Sequence, residues 1–169
     1  IEKITKFVGN KDFFYGYSPE RVNPGDNKKK IQDIIKITSG SSPKVAKKID
    51  NIYKSVIKAG TFPVSSIKIA EAAKVIENTQ RDINIALMNE LSIIFNKMNL
   101  NMREILDAAE SKWNFMKFTP GLVGGHCIGV DPYYLTYKAK KIGINPKIIL
   151  SGRKINDEYY KYICNEIEK

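Results

Sequence analysis

From Ile67 to Met98 the sequence contains neither glycine nor proline, and no other stretch limits the fold as strongly. Proline breaks a helix interior and glycine weakens it, so a run of this length free of both predicts one continuous helix. Ile69, Ile76, Ile83, Leu87, Leu91, Ile94 and Met98 recur along it at helical spacing. Val75, Ala86 and Ile93 lie off that stripe and widen the apolar face. At a rise of about 1.5 Å per residue the helix is roughly 48 Å long, more than the diameter of a domain of this size. Part of it is therefore expected to pack on another domain or on a second copy of the chain.

Shorter elements flank this helix. Asp12 to Tyr17 is aromatic and β-prone, and Pro19 ends it, so a strand is predicted to run into a loop at Ser18-Pro19-Glu20-Arg21. Asn23-Pro24-Gly25-Asp26-Asn27 has turn composition. Ile34 to Thr38 reads as a second strand, closed by Ser39-Gly40-Ser41-Ser42. A helix follows from Pro43 with Ser42 as its N-cap, an apolar stripe of Val45, Ile49, Ile52 and Val56, and Gly60 as its end. Two strands and a helix are the tail of an α/β domain, with too little sequence to close a sheet. After the long helix come a helix from Met102 to Ser111 capped by Asn101, a helix from Pro132 to about Ile142, and a last one from about Lys147. Between them, Trp113 to Gly129 is glycine-rich and aromatic-flanked. The expected class is mainly α with a small α/β remnant.

Composition narrows the function classes. About 43% of the 169 residues are hydrophobic, which fits a packed protein rather than a disordered one. No apolar run reaches the roughly 18 residues of a membrane span. The start at Ile1-Glu2-Lys3 and the helical pattern still running at Glu168-Lys169 read as a stretch cut from something longer. Cys127, Cys164 and one His make neither a disulfide framework nor a zinc site, and so few cysteines suit a reducing cytoplasm. The net charge of +10 raises a nucleic-acid reading. The basic residues are scattered, however, with local clusters only at Lys28-Lys29-Lys30 and at Lys138, Lys140 and Lys141, and no aromatic-interleaved motif accompanies them. Solvated lysines are the simpler reading, and an acidic small substrate the next.

Several residues could perform chemistry. In Gly124-Gly125-His126-Cys127 the paired glycines allow close backbone approach to a ligand, and Cys127 follows the turn near a helix start, where a thiolate is favoured. The ordinary alternative is a small buried cysteine, which is also how Cys164 reads. Adjacency does not make His126 a partner of Cys127. Lys74 and Asn78, four apart, share one helix face and could hold an oxyanion, although an exposed pairing with Glu71 or Glu77 is the plainer account. Glu20 sits in a loop just after a strand, where sheets commonly meet ligands. Asp131, before Pro132, is read first as a helix N-cap.

Taken in order, Ser18-Pro19-Glu20-Arg21, then Glu71 to Asp82 (EAAKVIENTQRD), then Gly121 to Leu135 (GLVGGHCIGVDPYYL) resemble the UDP-glucose/GDP-mannose dehydrogenase superfamily. The last two blocks look most like its branch that oxidises UDP-N-acetylhexosamines, UDP-N-acetylglucosamine above all, for surface polysaccharides of the Vi type. The resemblance implies three parts: a remnant of an NAD-binding Rossmann domain over residues 1–62, a central helical dimerisation and catalytic domain over 63–152, and from 153 to 169 the start of a connection to a UDP-binding domain. It also implies a cytoplasmic homodimer joined through the long helix, without nucleic-acid or membrane partners.

By the same resemblance a C6 alcohol is oxidised to a carboxylate with two NAD⁺ and water. Cys127 is then the nucleophile that forms a thiohemiacetal and a thioester. Lys74 and Asn78 stabilise the oxyanion, Asp131 orients or relays a water proton, and Glu20 serves thioester hydrolysis. Phe118, Thr119, Pro120, Gly121, Leu122, Val123 and Gly124 contact the substrate. The sequence has no strand-flanked G-x-G-x-x-G, so the main NAD site is expected elsewhere, and this chain alone is expected to be inactive. A non-catalytic dimerisation module is the competing reading, and the joint presence of Cys127, Lys74, Asn78, Glu20 and Asp131 argues against it. Tyr137 and Glu158-Tyr159-Tyr160 depart from the family pattern without touching those five.

Overall fold

The computed structural model describes residues 1–22, 30–125 and 127–168. The turn expected at 23–27, Lys28, Lys29 and His126 lie outside them. The chain divides into two compact units, Ile1–Lys74 and Val75–Lys169.

The first unit opens with a single helical turn, α1 (Glu2–Thr5), and holds a three-stranded sheet in the order β1 (Gly16–Tyr17), β2 (Lys36–Gly40), β3 (Thr61–Pro63). β1 pairs antiparallel with β2, and β3 pairs parallel with it after the crossover helix α2 (Pro43–Lys54). The strand expected over 12–17 is confined to its last two residues. Ahead of it the chain reverses through Asn10 (φ 64) and leaves Phe13 in an isolated bridge with Gly9. The second strand begins two residues later than expected, because Lys36 to Ser39 are the buried residues while Ile35 is exposed.

Ser42 caps α2 as expected, its Oγ accepting from Val45 N at 3.4 Å, and Pro43 occupies the first turn. The predicted apolar stripe holds only in part: Val45 is buried, but Ile52 and Val56 are exposed. Asp50 faces inward instead. It accepts from Thr38 Oγ1 at 2.9 Å and Thr61 Oγ1 at 2.6 Å, tying α2 to β2 and β3, and Lys54 Nζ lies 2.6 Å away. Gly40 lets α2 lie close on the strand, since a Cβ there would stand 2.4 Å from Ala46 N. The helix ends at Lys54, before Gly60, whose φ of 87° instead turns the chain into β3.

The long helix α3 (Ile67–Lys97) begins in the first unit and continues through the second. The second unit adds α4 (Met102–Glu110), α5 (Asp131–Lys141) and α6 (Lys147–Ile167). Asn101 Oδ1 caps α4 by accepting from Arg103 N at 2.9 Å and Glu104 N at 3.3 Å. Such a cap stabilises a helix by about 1 kcal/mol. Lys138, Lys140 and Lys141 fall in the last turn of α5, where cations oppose the negative end of the helix dipole.

Most of the apolar stripe read along α3 faces outward: Ile76 is 63% exposed, and Ile69, Leu87, Ile94 and Met98 are exposed too. The buried positions of α3 are small or polar: Ala70, Asn78, Thr79, Asp82, Ala86, Asn89 and Ser92, with Met88 the large apolar member. Asp82, Asn89 and Ser92 meet α6 through hydrogen bonds. Arg153 Nη1 donates to Asp82 Oδ1 at 2.6 Å, with side chains 5% and 0% exposed. Asn156 Nδ2 donates to Asp82 O at 2.9 Å and to Asp82 Oδ1 at 2.8 Å. Ser92 Oγ donates to Asn89 O at 2.7 Å, which leaves Tyr159 as the donor in its 2.9 Å bond to Ser92. Gly152 and Ala86, both buried, face each other where the two helices meet; a Cβ on Gly152 would lie 3.5 Å from Ala86 Cβ.

Candidate active site

In the first unit the buried Pro19 presents Glu20 at the surface, 61% exposed at its side chain. Glu20 Oε1 accepts from Val22 N at 2.8 Å and from Arg21 N at 2.7 Å. The bond from Val22 does most to hold this carboxyl below the ordinary glutamate range. Desolvation opposes it, and the Arg21 bond and the charges of Lys36 and Lys74 add to the lowering. A carboxylate so held remains ionised and accepts hydrogen bonds; it orients water better than it removes a proton.

Lys36 carries no signal of a role in the sequence, where it is one strand residue among isoleucines. Its buried Nζ donates to Pro19 O at 2.8 Å, lies 3.8 Å from Glu20 Oε2 and sits 5.8 Å from the centre of the Tyr53 ring. It thus fixes the peptide from which Glu20 projects. Lys74, half-buried in the second turn of α3, belongs to the same unit.

In the second unit Asn78 and Asp131 come together. Asn78 Nδ2 donates to Asp131 Oδ2 at 2.6 Å. This overturns the plain reading of each residue. Asn78 is buried rather than part of a surface pair, and Asp131 is the first residue of α5, with Val130 at the N-cap, so its carboxylate turns to α3 instead of capping. Cys127 is exposed, and its carbonyl accepts from Asp131 N at 2.9 Å, which joins the turn directly to the helix. Cys164 is exposed as well, contrary to the buried placement expected of it.

The segment 118–124 is irregular, with Thr119, Leu122 and Gly124 exposed and Gly121 partly covered. Gly125 adopts φ 84°, a conformation that glycine takes without strain. Beyond Cys127 the chain folds back, so that a Cβ on Gly129 would lie 3.8 Å from Gly125 O and 4.0 Å from both Arg153 Nη atoms. Arg153 therefore underlies this turn. It bonds Asp82 and Asp157, and its guanidinium lies 5.4 Å from the centre of the Tyr133 ring. Burial disfavours its charge, but the contacts with Tyr133, Asp82 and Asp157 outweigh that and raise its pKa. Tyr133 Oη donates to Asp157 at 2.7 Å, a bond that, with burial, raises the phenol's pKa above its ordinary value.

Residues 68–158, more than half of the chain, match the UDP-glucose/GDP-mannose dehydrogenase family, central domain. The chain belongs to the UDP-glucose/GDP-mannose dehydrogenase family. Within that dehydrogenase family it is 59% identical over its whole length to a UDP-N-acetyl-D-glucosamine 6-dehydrogenase of Pseudomonas aeruginosa. It is 60% identical, again over its whole length, to the enzyme of that name from Salmonella typhi. It spans 40% of the length of each of these curated relatives. Among solved structures, the UDP-D-ManNAc dehydrogenase of Pyrococcus horikoshii superposes with a TM-score of 0.84 at 32% identity, over 97% of this chain and 38% of that one.

The tight turn from β2 to α2 carries one glycine, Gly40, and that glycine is filled by α2 itself rather than open to a pyrophosphate. Among the described residues no helix is long and apolar enough to cross a membrane.

Proposed function

We propose that this chain is the central catalytic and dimerisation section of an NAD-dependent nucleotide-sugar 6-dehydrogenase. Its substrate is a UDP-N-acetylhexosamine, UDP-N-acetylglucosamine first, whose C6 alcohol becomes a carboxylate for surface polysaccharide synthesis in the cytoplasm. The observation that carries the reading is the exposed Cys127 on a turn joined to Asp131, which Asn78 holds, in a chain 59% and 60% identical to two UDP-N-acetyl-D-glucosamine 6-dehydrogenases.

NAD, when bound, would supply the hydride acceptor for the oxidation, and its main site is expected outside this segment. The residues here do the rest. Cys127 adds to the C6 aldehyde as a thiolate to form a thiohemiacetal, which becomes a thioester once its C6 hydride has left to the bound oxidant; water then cleaves the C–S bond, giving the carboxylate and returning the thiolate. Lys74 and Asn78 stabilise the oxyanion at C6. Asp131, with one carboxylate oxygen fixed by Asn78, orients or relays protons for the water. Glu20, ionised and presented outward, positions water for thioester hydrolysis. Residues 118–124 contact the nucleotide sugar with backbone groups. The outward apolar stripe of α3 is the surface on which a second copy packs, because exposed isoleucines along one helix favour burial against a partner.

The decisive experiment is Cys127→Ser in the full-length protein that contains this segment, with UDP-N-acetylglucosamine and NAD⁺. Loss of uronic acid formation, with substrate binding retained, is the expected result. Acid formation at the unsubstituted rate excludes Cys127 as the nucleophile. The segment by itself is expected neither to bind NAD tightly nor to turn over.

A further inference from the structure

We propose that Asn89 is a positioning residue for the substrate segment. Its buried carboxamide grips both backbone polar groups of Gly121 and so sets where residues 118–124 meet the nucleotide sugar. The inference rests on the reading of 118–124 as the substrate segment.

Asn89 is 0% exposed in the middle of α3. Its Oδ1 accepts from Gly121 N at 2.8 Å, and its Nδ2 donates to Gly121 O at 3.1 Å. The second Nδ2 hydrogen goes to Asn156 Oδ1 at 2.9 Å. The orientation of this amide is dictated from outside. Asn156 spends its own Nδ2 on Asp82 O and Asp82 Oδ1, so only its oxygen can face Asn89. Asp82 Oδ1 is in turn held by Arg153. Reversing Asn89 would set its oxygen against two other acceptors, Gly121 O and Asn156 Oδ1. Donor and acceptor sense therefore run unbroken from the Arg153–Asp82 pair to the Gly121 peptide.

The placement along α3 adds a second argument. Asn78 and Asn89 are eleven residues apart, which is about 16 Å of rise and only about 20° of rotation on an α-helix. One face of α3 thus holds Asp131 through Asn78 and Gly121 through Asn89. Those are the two ends of the stretch that contains the exposed Cys127. Filling a buried backbone vacancy would need one hydrogen bond. Two opposed bonds fix the plane of the peptide as well as its position, and orientation is what a backbone-contacting segment requires.

The test uses the full-length enzyme. Asn89→Ala is expected to raise the KM for UDP-N-acetylglucosamine about tenfold while the KM for NAD⁺ stays within about twofold, a split that simple loss of folded enzyme does not produce. An unchanged sugar-nucleotide KM in a folded Asn89→Ala enzyme, or parallel rises in both, overturns the proposal. Amide hydrogen exchange of the unsubstituted enzyme tests it whether or not the variant folds. Without substrate, Gly121 should exchange at least about tenfold more slowly than Leu122 and Gly124, and substrate should then slow those two. Gly121 exchanging as fast as Leu122 removes the grip. Protection at Gly121 with no response of Leu122 and Gly124 to substrate overturns the positioning role through its premise. Neither exchange result depends on whether Cys127 is the nucleophile.

Discussion

The side-chain amide of Asn78 and the carboxylate of Asp131, 53 positions apart, meet at 2.6 Å, with Asn78 as donor. Replacing that donor by an acceptor tests the pairing. Asn78→Asp sets two carboxylates together in a partly buried place, and is expected to cost about 1–3 kcal/mol in stability. Adding Asp131→Asn restores a donor from the other side. Thermal melts should show most of the lost Tm recovered in the double variant, while uronic acid formation by the full-length protein is expected to stay impaired because the carboxylate proposed to orient water has moved. No recovery would mean that the two side chains do not depend on each other.

Lys74→Ala in the full-length protein should lower kcat by about 100-fold or more and leave the sugar-nucleotide KM nearly constant. In its proposed role the ammonium contributes most where negative charge develops on the C6 oxygen. Steady-state kinetics at saturating NAD⁺ read this directly. A change confined to KM would assign Lys74 to ground-state binding.

Arg153 is nearly buried and divides its guanidinium between Asp82 and Asp157. Arg153→Ala leaves the Asp82 carboxylate buried without its cation, a loss of about 3–5 kcal/mol. Arg153→Lys should rescue little, since one ammonium cannot reproduce a fork that reaches two acids. Denaturant unfolding of the two variants separates these expectations.

Asp50 gives a pH signature to the first unit. Burial pushes its carboxyl up, but the hydrogen bonds from Lys54, Thr61 and Thr38 outweigh that and hold it below the ordinary value of 3.8. A carboxyl whose folded pKa is depressed adds stability above its unfolded pKa and loses that contribution as pH falls through the folded one. The Tm gap between the natural protein and Asp50→Asn should therefore be widest above about pH 5 and close as pH drops below 3.8. A gap that stayed constant through that range would tell against an ionised Asp50.

The helices were legible because their signals are local. Apolar recurrence at helical spacing, in a stretch free of glycine and proline, marks α3 nearly to its last residue, and Ser42 and Asn101 announce two helix starts that their side chains then cap. The strands were not. β3 is three residues long and includes Pro63; nothing but its parallel pairing with β2 makes Thr61 to Pro63 a strand. The inward face of α3 was hidden for a related reason. Asp82, Asn89, Arg153 and Asn156 are residues that normally face water, and only the partner helix shows that they satisfy one another in the interior. The apolar stripe, by contrast, is plain in the sequence and lies mostly on the outside. Cys127, Asn78, Lys74, Glu20 and Asp131 were singled out by motif order. Lys36, beneath Glu20, has no motif to betray it.

Because Asn78 and Asn89 reach their partners from one helix face, α3 sets the spacing between them like a graduated rod, and on the proposed reading its register is part of the protein's chemistry. One residue inserted between them would swing the two amides apart by about 100° and separate Gly121 from Asp131. An insertion of seven residues would nearly preserve direction but lengthen the rod by about 10 Å, so the chain from Gly121 to Asp131 would have to stretch to follow. Substitutions on the outer face of this interval leave the gauge intact. Insertions and deletions do not, so length variation among homologous chains should be tolerated in the turns and excluded from the interval between the two asparagines.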